Sequence, residues 1–351
     1  MTLSLATPQA LGQWLRHRPG EQHLGEHLLL PTPNADLTTV LARAREQGAR
    51  YVLLGVPEDL GPRANCGRGG SDAAWDAFLM QFLNLQANDH RGGSDILMLG
   101  QLDVADLQQQ AATLDNARAD DLARLRALTA ELDARLTPVI RAITEAGLEP
   151  LVIGGGHNNA YPILKGASLA LDRPLAAVNL DPHADFRATE GRHSGNGFAY
   201  AWESGALNWY RVIGLHEQKN NASALDQMRR LGIHYASFQQ IWVRRERTLG
   251  QALDDTLAEL AVTNRPLGVE LDLDAIESMP SSAESRVGVP LVDACHLIFR
   301  LAQYPQCHYL HLCEGAPACH PAGPAAGARA VGQALAELVL SYLAGRAQPL
   351  T

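Results

Sequence analysis

Three short segments of this chain carry side chains whose types and spacing suit a metal centre. The first is Asp181-Pro182-His183-Ala184-Asp185, an Asp-x-His-x-Asp triplet at the end of an apolar run, Ala176 to Asp181. On an extended backbone, residues i, i+2 and i+4 project to one side, so Asp181, His183 and Asp185 are expected to converge. The second is Asp272-Leu273-Asp274, which closes the apolar run Leu267 to Asp272 with the same alternation. The third is Gly154-Gly155-Gly156-His157, a glycine turn after Pro150 to Ile153 that aims one more imidazole. Taken singly, each has an ordinary alternative: a strand-end Asp caps a helix or accepts loop hydrogen bonds, and a lone His sits in a core. Clustering them is different, because crowded ionisable groups pay for like-charge repulsion and desolvation, a cost that a cation removes. The four carboxylates and two neutral imidazoles carry a formal charge of −4, which matches two divalent cations.

Ligand type selects the metal. Carboxylate-dominated sites with one imidazole per ion suit Mn²⁺ and related octahedral ions, whereas zinc favours His and Cys donors in a tetrahedron. A water shared by two dications loses a proton near neutral pH and can attack an sp² carbon flanked by nitrogens, as in an amidine or guanidine. Such a substrate is a cation and needs a carboxylate partner beside the ions.

The elements that must position these groups read as strands alternating with helices. Strand candidates are Tyr51 to Val56, Asp95 to Leu99, Pro150 to Ile153, Ala176 to Asp181, Arg211 to Leu215, Leu267 to Asp272 and Tyr309 to Cys313. Most are apolar without strict alternation, as in strands buried on both faces of a parallel sheet. Helical patterns occupy Ala35 to Gln47, Ala73 to Leu85, Asn116 to Ala146 and Val331 to Leu343, with Gly147 as a helix stop. The Ala/Gly/Pro-rich stretch Gly315 to Gly327 reads as a loop. Unbroken alternation favours a single α/β domain over residues 1–351, with a short N-terminal extension of about residues 1–33. The alternative is a two-domain split near Gly147.

Composition excludes several classes of function. With 29 Lys+Arg against 38 Asp+Glu the net charge is −9, and no basic run occurs, so nucleic acid and anionic membrane surfaces are not expected partners. A small-molecule substrate is. No stretch of about 18 apolar residues and no leader-like N-terminus is evident, which predicts a cytoplasmic protein. Five cysteines without a CxxC pair read as free thiols. The glycine turn does not complete GxGxxG, and Ser194 lacks a GxSxG elbow.

The ordered motifs resemble those of the ureohydrolases: arginase, agmatinase and formimidoylglutamase. That family's glycine turn with a His, Asp-Ala-His-x-Asp and Asp-x-Asp are matched by Gly154 to His157, Asp181 to Asp185 and Asp272 to Asp274, within a resemblance running from about Tyr51 to Leu340. It implies a three-layer α/β/α, arginase-like fold around a mostly parallel sheet. It further implies two Mn²⁺ per chain on His157, Asp181, His183, Asp185, Asp272 and Asp274, and a homo-oligomer. Glu314 resembles the family's substrate-binding Glu, and Asp185 and Glu314 are the expected catalytic residues.

The closer resemblance is to divergent bacterial formimidoylglutamase. It rests on Gly55 to Asp59, Arg63 to Gly69, Gly154 to Pro162, Asp185 to Arg187 and Gly191 to Gly197. It implies conversion of N-formimidoyl-L-glutamate and water to L-glutamate and formamide, a step of histidine degradation. The two carboxylates of that substrate call for cations, and Arg187, two residues beyond Asp185, is the first candidate. Ser194 and Asn196 are candidate neutral donors, while Arg192, Arg63 and Arg68 are weaker candidates with structural salt bridges as the alternative. Pro182 replaces the usual Ala, and Phe198 falls where arginase carries a proton-shuttle His, so arginase activity is not expected. The alternatives are another guanidino or amidino substrate, such as guanidinobutyrate, agmatine or arginine, and a metal-binding member of the fold without turnover.

Overall fold

In the computed structural model, which describes residues 3–350, nine strands form one sheet. They are β1 (Leu3–Leu5), β2 (Tyr51–Gly55), β3 (Ile96–Leu102), β4 (Glu149–Ile153), β5 (Leu175–Leu180), β6 (Leu207–Leu215), β7 (His234–Ser237), β8 (Leu267–Asp272) and β9 (Cys307–Cys313). The order across the sheet is β1-β3-β2-β4-β9-β8-β5-β6-β7. Every pairing is parallel except that of β1 with β3.

Alternate residues of the central strands feed two apolar layers, which is why these strands read as continuous apolar runs. Leu53, Ile153, Val178 and Val269 pack under helices Ala74–Phe82, Leu249–Thr263, Leu291–Ala302 and Pro324–Arg346. Leu54, Val152, Ala177 and Tyr309 face helices Leu37–Glu46, Ala119–Glu145 and Ala160–Leu171 on the other side. The result is the three-layer α/β/α sandwich with a mostly parallel sheet that the sequence predicts.

All seven expected strands are present within a few residues. The two that the sequence does not reveal, β1 and β7, are short and sit at the sheet's edges, where one side needs no apolar residues. β1 draws the N-terminal segment onto the sheet, since Leu3 to Leu5 pair with Gly100 to Leu102. The expected loop Gly315 to Gly327 requires correction: it ends at Gly323, and a helix starts at Pro324, where proline is favoured because its missing N–H is not needed. Glycines of that helix serve close packing: a Cβ on Gly327 would lie 2.0 Å from the carbonyl of Pro317, and one on Gly332 would lie 2.1 Å from the carbonyl of Ala77 on the neighbouring helix. No helix among the described residues is long and apolar enough to cross a membrane.

Candidate metal centre

Strands β4, β9, β8 and β5 are consecutive neighbours in the sheet and run parallel, so their carboxyl ends open on one edge. Each is followed by a residue singled out above: His157 after β4, Glu314 after β9, Asp272 and Asp274 at the end of β8, and Asp181, His183 and Asp185 after β5. Ligand sites in open α/β sheets lie at this edge.

The glycine turn before His157 needs its glycines. Gly154 and Gly155 have φ of 90° and 72°, and a Cβ on Gly155 would lie 2.6 Å from Glu58 Oε1. The carboxylate of Glu58 is fully buried and organises the turn, accepting hydrogen bonds from Gly156 N (2.7 Å), Asn159 Nδ2 (2.8 Å) and Leu60 N (2.7 Å). His157 is thereby delivered, wholly buried, with Nδ1 2.8 Å from Asp185 Oδ2, 3.1 Å from Asp181 Oδ2 and 3.6 Å from Asp272 Oδ2. His183 Nδ1 lies 3.4 Å from Asp181 Oδ1 and 3.3 Å from Asp274 Oδ2. Three groups of donors result: His157/Asp181/Asp185/Asp272 and Asp181/His183/Asp274, which share Asp181, and His157/His311/Cys313. The first two hold the carboxylates.

The convergence is not produced by extended backbone, as the alternation argument supposed. β5 ends at Leu180, and Asp185 adopts a left-handed φ of 45°, which Asp tolerates better than most residues. Likewise Leu273–Ala275 form a 3₁₀ turn. In each segment the leading Asp does two jobs. Asp181 Oδ1 accepts from His183 N (2.6 Å) and Asp272 Oδ1 from Asp274 N (2.7 Å), so each tightens its own turn, while each Oδ2 faces His157. Asn179 donates to Asp181 Oδ2 (3.0 Å) and to Tyr210 Oη, which in turn donates to the Ala184 carbonyl. Glu314 also has a left-handed φ, 63°, and its Oε1 accepts from His157 N at 2.9 Å.

The protonation behaviour of these groups shows what they lack. Burial pushes Asp272 well up, with Asp274 and Asp181 adding repulsion, and pushes Asp185 up to about 6. Burial likewise raises Glu314 to about 8, against the hydrogen bond from His157 N and with help from Asp274 and Asp185. Burial opposes a charge on His183, yet Asp274 and Asp181 hold its proton well above the usual histidine range. The cluster balances its negative charge with protons, and a dication is the alternative counter-charge. Both ring nitrogens of His157 and Asp274 Oδ1 are buried without hydrogen-bond partners among the described residues. Of these, His157 Nδ1 and Asp274 Oδ1 belong to the carboxylate cluster, where unpaired buried ligand atoms fit metal ions and oxygen-rich donor sets fit Mn²⁺.

A cavity of about 240 Å³ opens above the cluster, lined at its floor by His183, Asp185, Asp272, Asp274 and Glu314 and at its rim by Asn65, Arg187, Ser194 and Lys219. Arg187 and Ser194 therefore reach the place expected of them. Asn196 does not. It is fully buried, with Oδ1 accepting from Arg192 Nη1 (2.7 Å) and His193 N (3.1 Å) and Nδ2 donating to the Ala188 and Gly191 carbonyls. With every polar atom spent inside its loop, Asn196 is a structural staple rather than a substrate donor. Of the weaker arginine candidates, Arg192 forms a buried ion pair with Asp133 (2.6 Å) between Tyr161 and Tyr200, and Arg63 donates to the Ala111 and Leu114 carbonyls. Arg68 donates to the Ser281 carbonyl.

Sequence reasoning missed Lys219. It sits in the loop after β6, which Asn220 fastens to the ligand loop by accepting from Ala184 N (2.8 Å) and donating to the Pro182 carbonyl (2.9 Å). Nothing local in Lys219-Asn220-Asn221 announces that placement. Phe198 is buried and meets the His157 ring edge-on at 5.1 Å, so it packs behind the ligand instead of facing the cavity.

The arginase family model matches residues 49–341. A formimidoylglutamase of Aromatoleum aromaticum is 28% identical over 258 residues, 70% of each chain. One from Hahella chejuensis is 28% identical over 265 residues, 72% of this chain and 73% of that protein. Among solved structures, formimidoylglutamase from Bacillus subtilis superposes with a TM-score of 0.74 at 14% identity, covering 96% of both chains. Trypanosoma cruzi formiminoglutamase with Mn²⁺ superposes with a TM-score of 0.66 at 19% identity, covering 92% of this chain and 98% of that one.

Proposed function

The chain belongs to the arginase family, and from that premise we propose that it hydrolyses N-formimidoyl-L-glutamate to L-glutamate and formamide with two Mn²⁺ ions at the six-residue cluster. The observation that carries this reading is the polarity of the cavity: carboxylates at its floor and two cations, Arg187 and Lys219, at its rim. Among the described residues neither cation has a carboxylate in ion-pair reach. A ligand with a cationic amidinium at one end and two carboxylates at the other is complementary to that gradient. The names borne by the relatives from Aromatoleum and Hahella support the same substrate.

In this reading His157, Asp181, His183, Asp185, Asp272 and Asp274 would hold the ions, whose charge would make a water acidic near neutral pH. Glu314 pairs with the amidinium and turns the formimidoyl carbon toward that water. Burial is the chief cause that raises Glu314, with Asp274 and Asp185 adding repulsion, and positive charge held at the cluster would oppose both and favour its anion. Asp185 would take the water's proton and return it to the substrate's α-nitrogen as the C–N bond breaks, and the hydroxyl proton left on the former formimidoyl carbon passes to the departing amine, giving the ammonium of glutamate and formamide. Arg187 offers a planar fork to one carboxylate and Lys219 a point charge to the other, with Ser194 as a neutral donor beside Arg187.

The test is a panel of formimidoylglutamate, arginine, agmatine and guanidinobutyrate on Mn²⁺-loaded protein, with formamide and urea measured separately. Formamide from formimidoylglutamate at the highest kcat/KM is expected. Urea from any of the others at a higher kcat/KM defeats the substrate assignment, and no turnover on the whole panel defeats the enzyme reading.

A further inference from the structure

Beneath the ligand cluster, on the same face of the sheet, a second polar file runs between β8 and β9. Gly268 pairs with Tyr309, Glu270 with His311 and Asp272 with Cys313. Glu270 lies two residues before Asp272, is fully buried and is in none of the three donor groups, although its neighbour His311 is grouped with His157 and Cys313. Its Oε1 accepts from Tyr309 Oη at 2.7 Å, and its Oε2 lies 2.6 Å from His311 Nδ1. Gly268 makes this possible, because a Cβ there would come within 2.1 Å of the Tyr309 ring. Oε2 also lies 3.5 Å from His157 Nε2, the ring nitrogen facing away from the ligand cluster.

A ligating imidazole must present a bare nitrogen, so its proton sits on the other one, and what that N–H meets fixes the tautomer and the ring plane. His157 turns Nδ1 toward Asp185 and Asp181, which leaves the proton on Nε2. Nε2 is buried without a hydrogen-bond partner, and Glu270 Oε2, at 3.5 Å, is the carboxylate oxygen beside it. Packing alone does not account for a carboxylate here, since burying a charge is costly unless it is matched by donors.

We propose that Glu270, clamped by Tyr309 and His311, is a positioning residue that fixes His157 in the Nε2–H tautomer with Nδ1 aimed at the metal site. The proposal depends on the cluster holding ions and is independent of which substrate is hydrolysed. Its test is Mn²⁺ titration of the full chain, read by the electron paramagnetic resonance of the free ion, with wild type and Glu270→Gln compared. Wild type is expected to take up two ions per chain; if it does not, the cluster assignment fails before the present one is reached.

In Glu270→Gln, one of the two ions is expected to bind about 10- to 100-fold more weakly while the other is unchanged, the range seen for outer partners of metal-binding His. Unchanged affinity for both ions, or equal weakening of both together with a lower melting temperature, overturns the proposal. A measurement on wild type guards against a variant that does not fold. In Zn²⁺-loaded protein, which is diamagnetic, ¹H–¹⁵N correlation of the imidazoles is expected to show His157 ligated through Nδ1 with a protected, hydrogen-bonded Nε2–H. Ligation through Nε2, or an Nε2–H that exchanges freely, overturns it equally.

Discussion

At and beneath the floor of the cavity, Asp272, Glu314 and the buried His157 and Asp181 lie at the ends of four adjacent parallel strands, whereas at its rim Asn65, Arg187, Ser194 and Lys219 come from loops and a short helix that meet only in space. The floor is buried and the carboxylates there outnumber the cations. Arg187, at the rim, is exposed. Electrostatic effects follow that division, because buried charges are poorly screened while exposed ones are weakened by water and salt. Floor substitutions should therefore act on metal content and rate, and rim substitutions on substrate affinity and choice.

The largest effect is expected at the floor. His183→Ala removes one donor from the group that it forms with Asp181 and Asp274. Loss of a partner one shell further out typically costs about 10- to 100-fold, so loss of the donor itself should cost at least that in affinity for one ion and in turnover. Metal analysis of the purified variant checks it, and two tightly held ions with full activity would remove His183 from the ligand set. The protons now balancing the cluster give a pH dependence of definite sign. His183 and Asp272 hold protons above their ordinary ranges, and an ion must displace them, so Mn²⁺ affinity should rise as pH increases through the neutral range. A flat affinity profile would show that the ion and the protons do not compete.

Glu314→Gln comes next and leaves the six ligands in place. Gln keeps an oxygen for His157 N but loses the charge that faces an amidinium. Charge-assisted hydrogen bonds are worth about 1.5 to 3 kcal/mol, which is about tenfold to hundredfold in kcat/KM. The expected signature is normal Mn²⁺ stoichiometry with slow turnover. Wild-type kinetics in this variant would place Glu314 outside the chemistry and shift the floor's role to metal holding alone.

The same division decides what could be read in the sequence. The floor was legible because each motif closes an apolar run: Asp-x-His-x-Asp after β5, Asp-x-Asp at the end of β8 and the glycine turn after β4. Parallel topology then brings those ends to one edge. The mechanism of convergence was not legible, since the left-handed turn at Asp185 and the 3₁₀ turn at Asp274 depend on hydrogen bonds between backbone and carboxylate. Glu270 and His311 are not legible, because inside strands they look like interruptions of an apolar run, and only the β8–β9 register makes them partners. Asn196 misled for the opposite reason. It shares Ser194-Gly195-Asn196 with a pocket residue, yet the turn points Ser194 to the cavity and Asn196 to Arg192. Lys219 reaches the rim only because Asn220 ties its loop to the ligand loop, a contact that no local pattern encodes.

At the rim, Arg187→Ala sharpens the comparison. The Arg187 backbone N donates to the Gly195 carbonyl (3.0 Å), and a Cβ on Gly195 would come within 3.1 Å of Arg187 Cδ, so the side chain is braced toward the cavity. For an exposed guanidinium binding a carboxylate, the 1.5 to 3 kcal/mol of a charge-assisted bond is reduced by screening. KM for formimidoylglutamate is expected to rise by about tenfold with kcat and metal content nearly unchanged. A structural role predicts a lower melting temperature with no change in substrate choice. Equal losses on agmatine, which has no carboxylate, would break the assignment of Arg187 to the anionic end.

The smallest effect is expected for Lys219→Gln, and it distinguishes one carboxylate from two. An ammonium on a flexible stem at a half-buried rim position gives about 0.2 to 1 kcal/mol, a 1.5- to 5-fold rise in KM that shrinks with added salt. The informative comparison uses formimidoylglutamate against a formimidoyl amino acid bearing a single carboxylate. If Arg187 and Lys219 each hold one carboxylate, the two substitutions should add on the dicarboxylate to within about 0.3 to 0.5 kcal/mol, as independent sites do. On the monocarboxylate, only one of them should matter. If instead both cations crowd one carboxylate, the double variant loses less than the sum on both substrates, and the rim then selects for an anion without counting its charges.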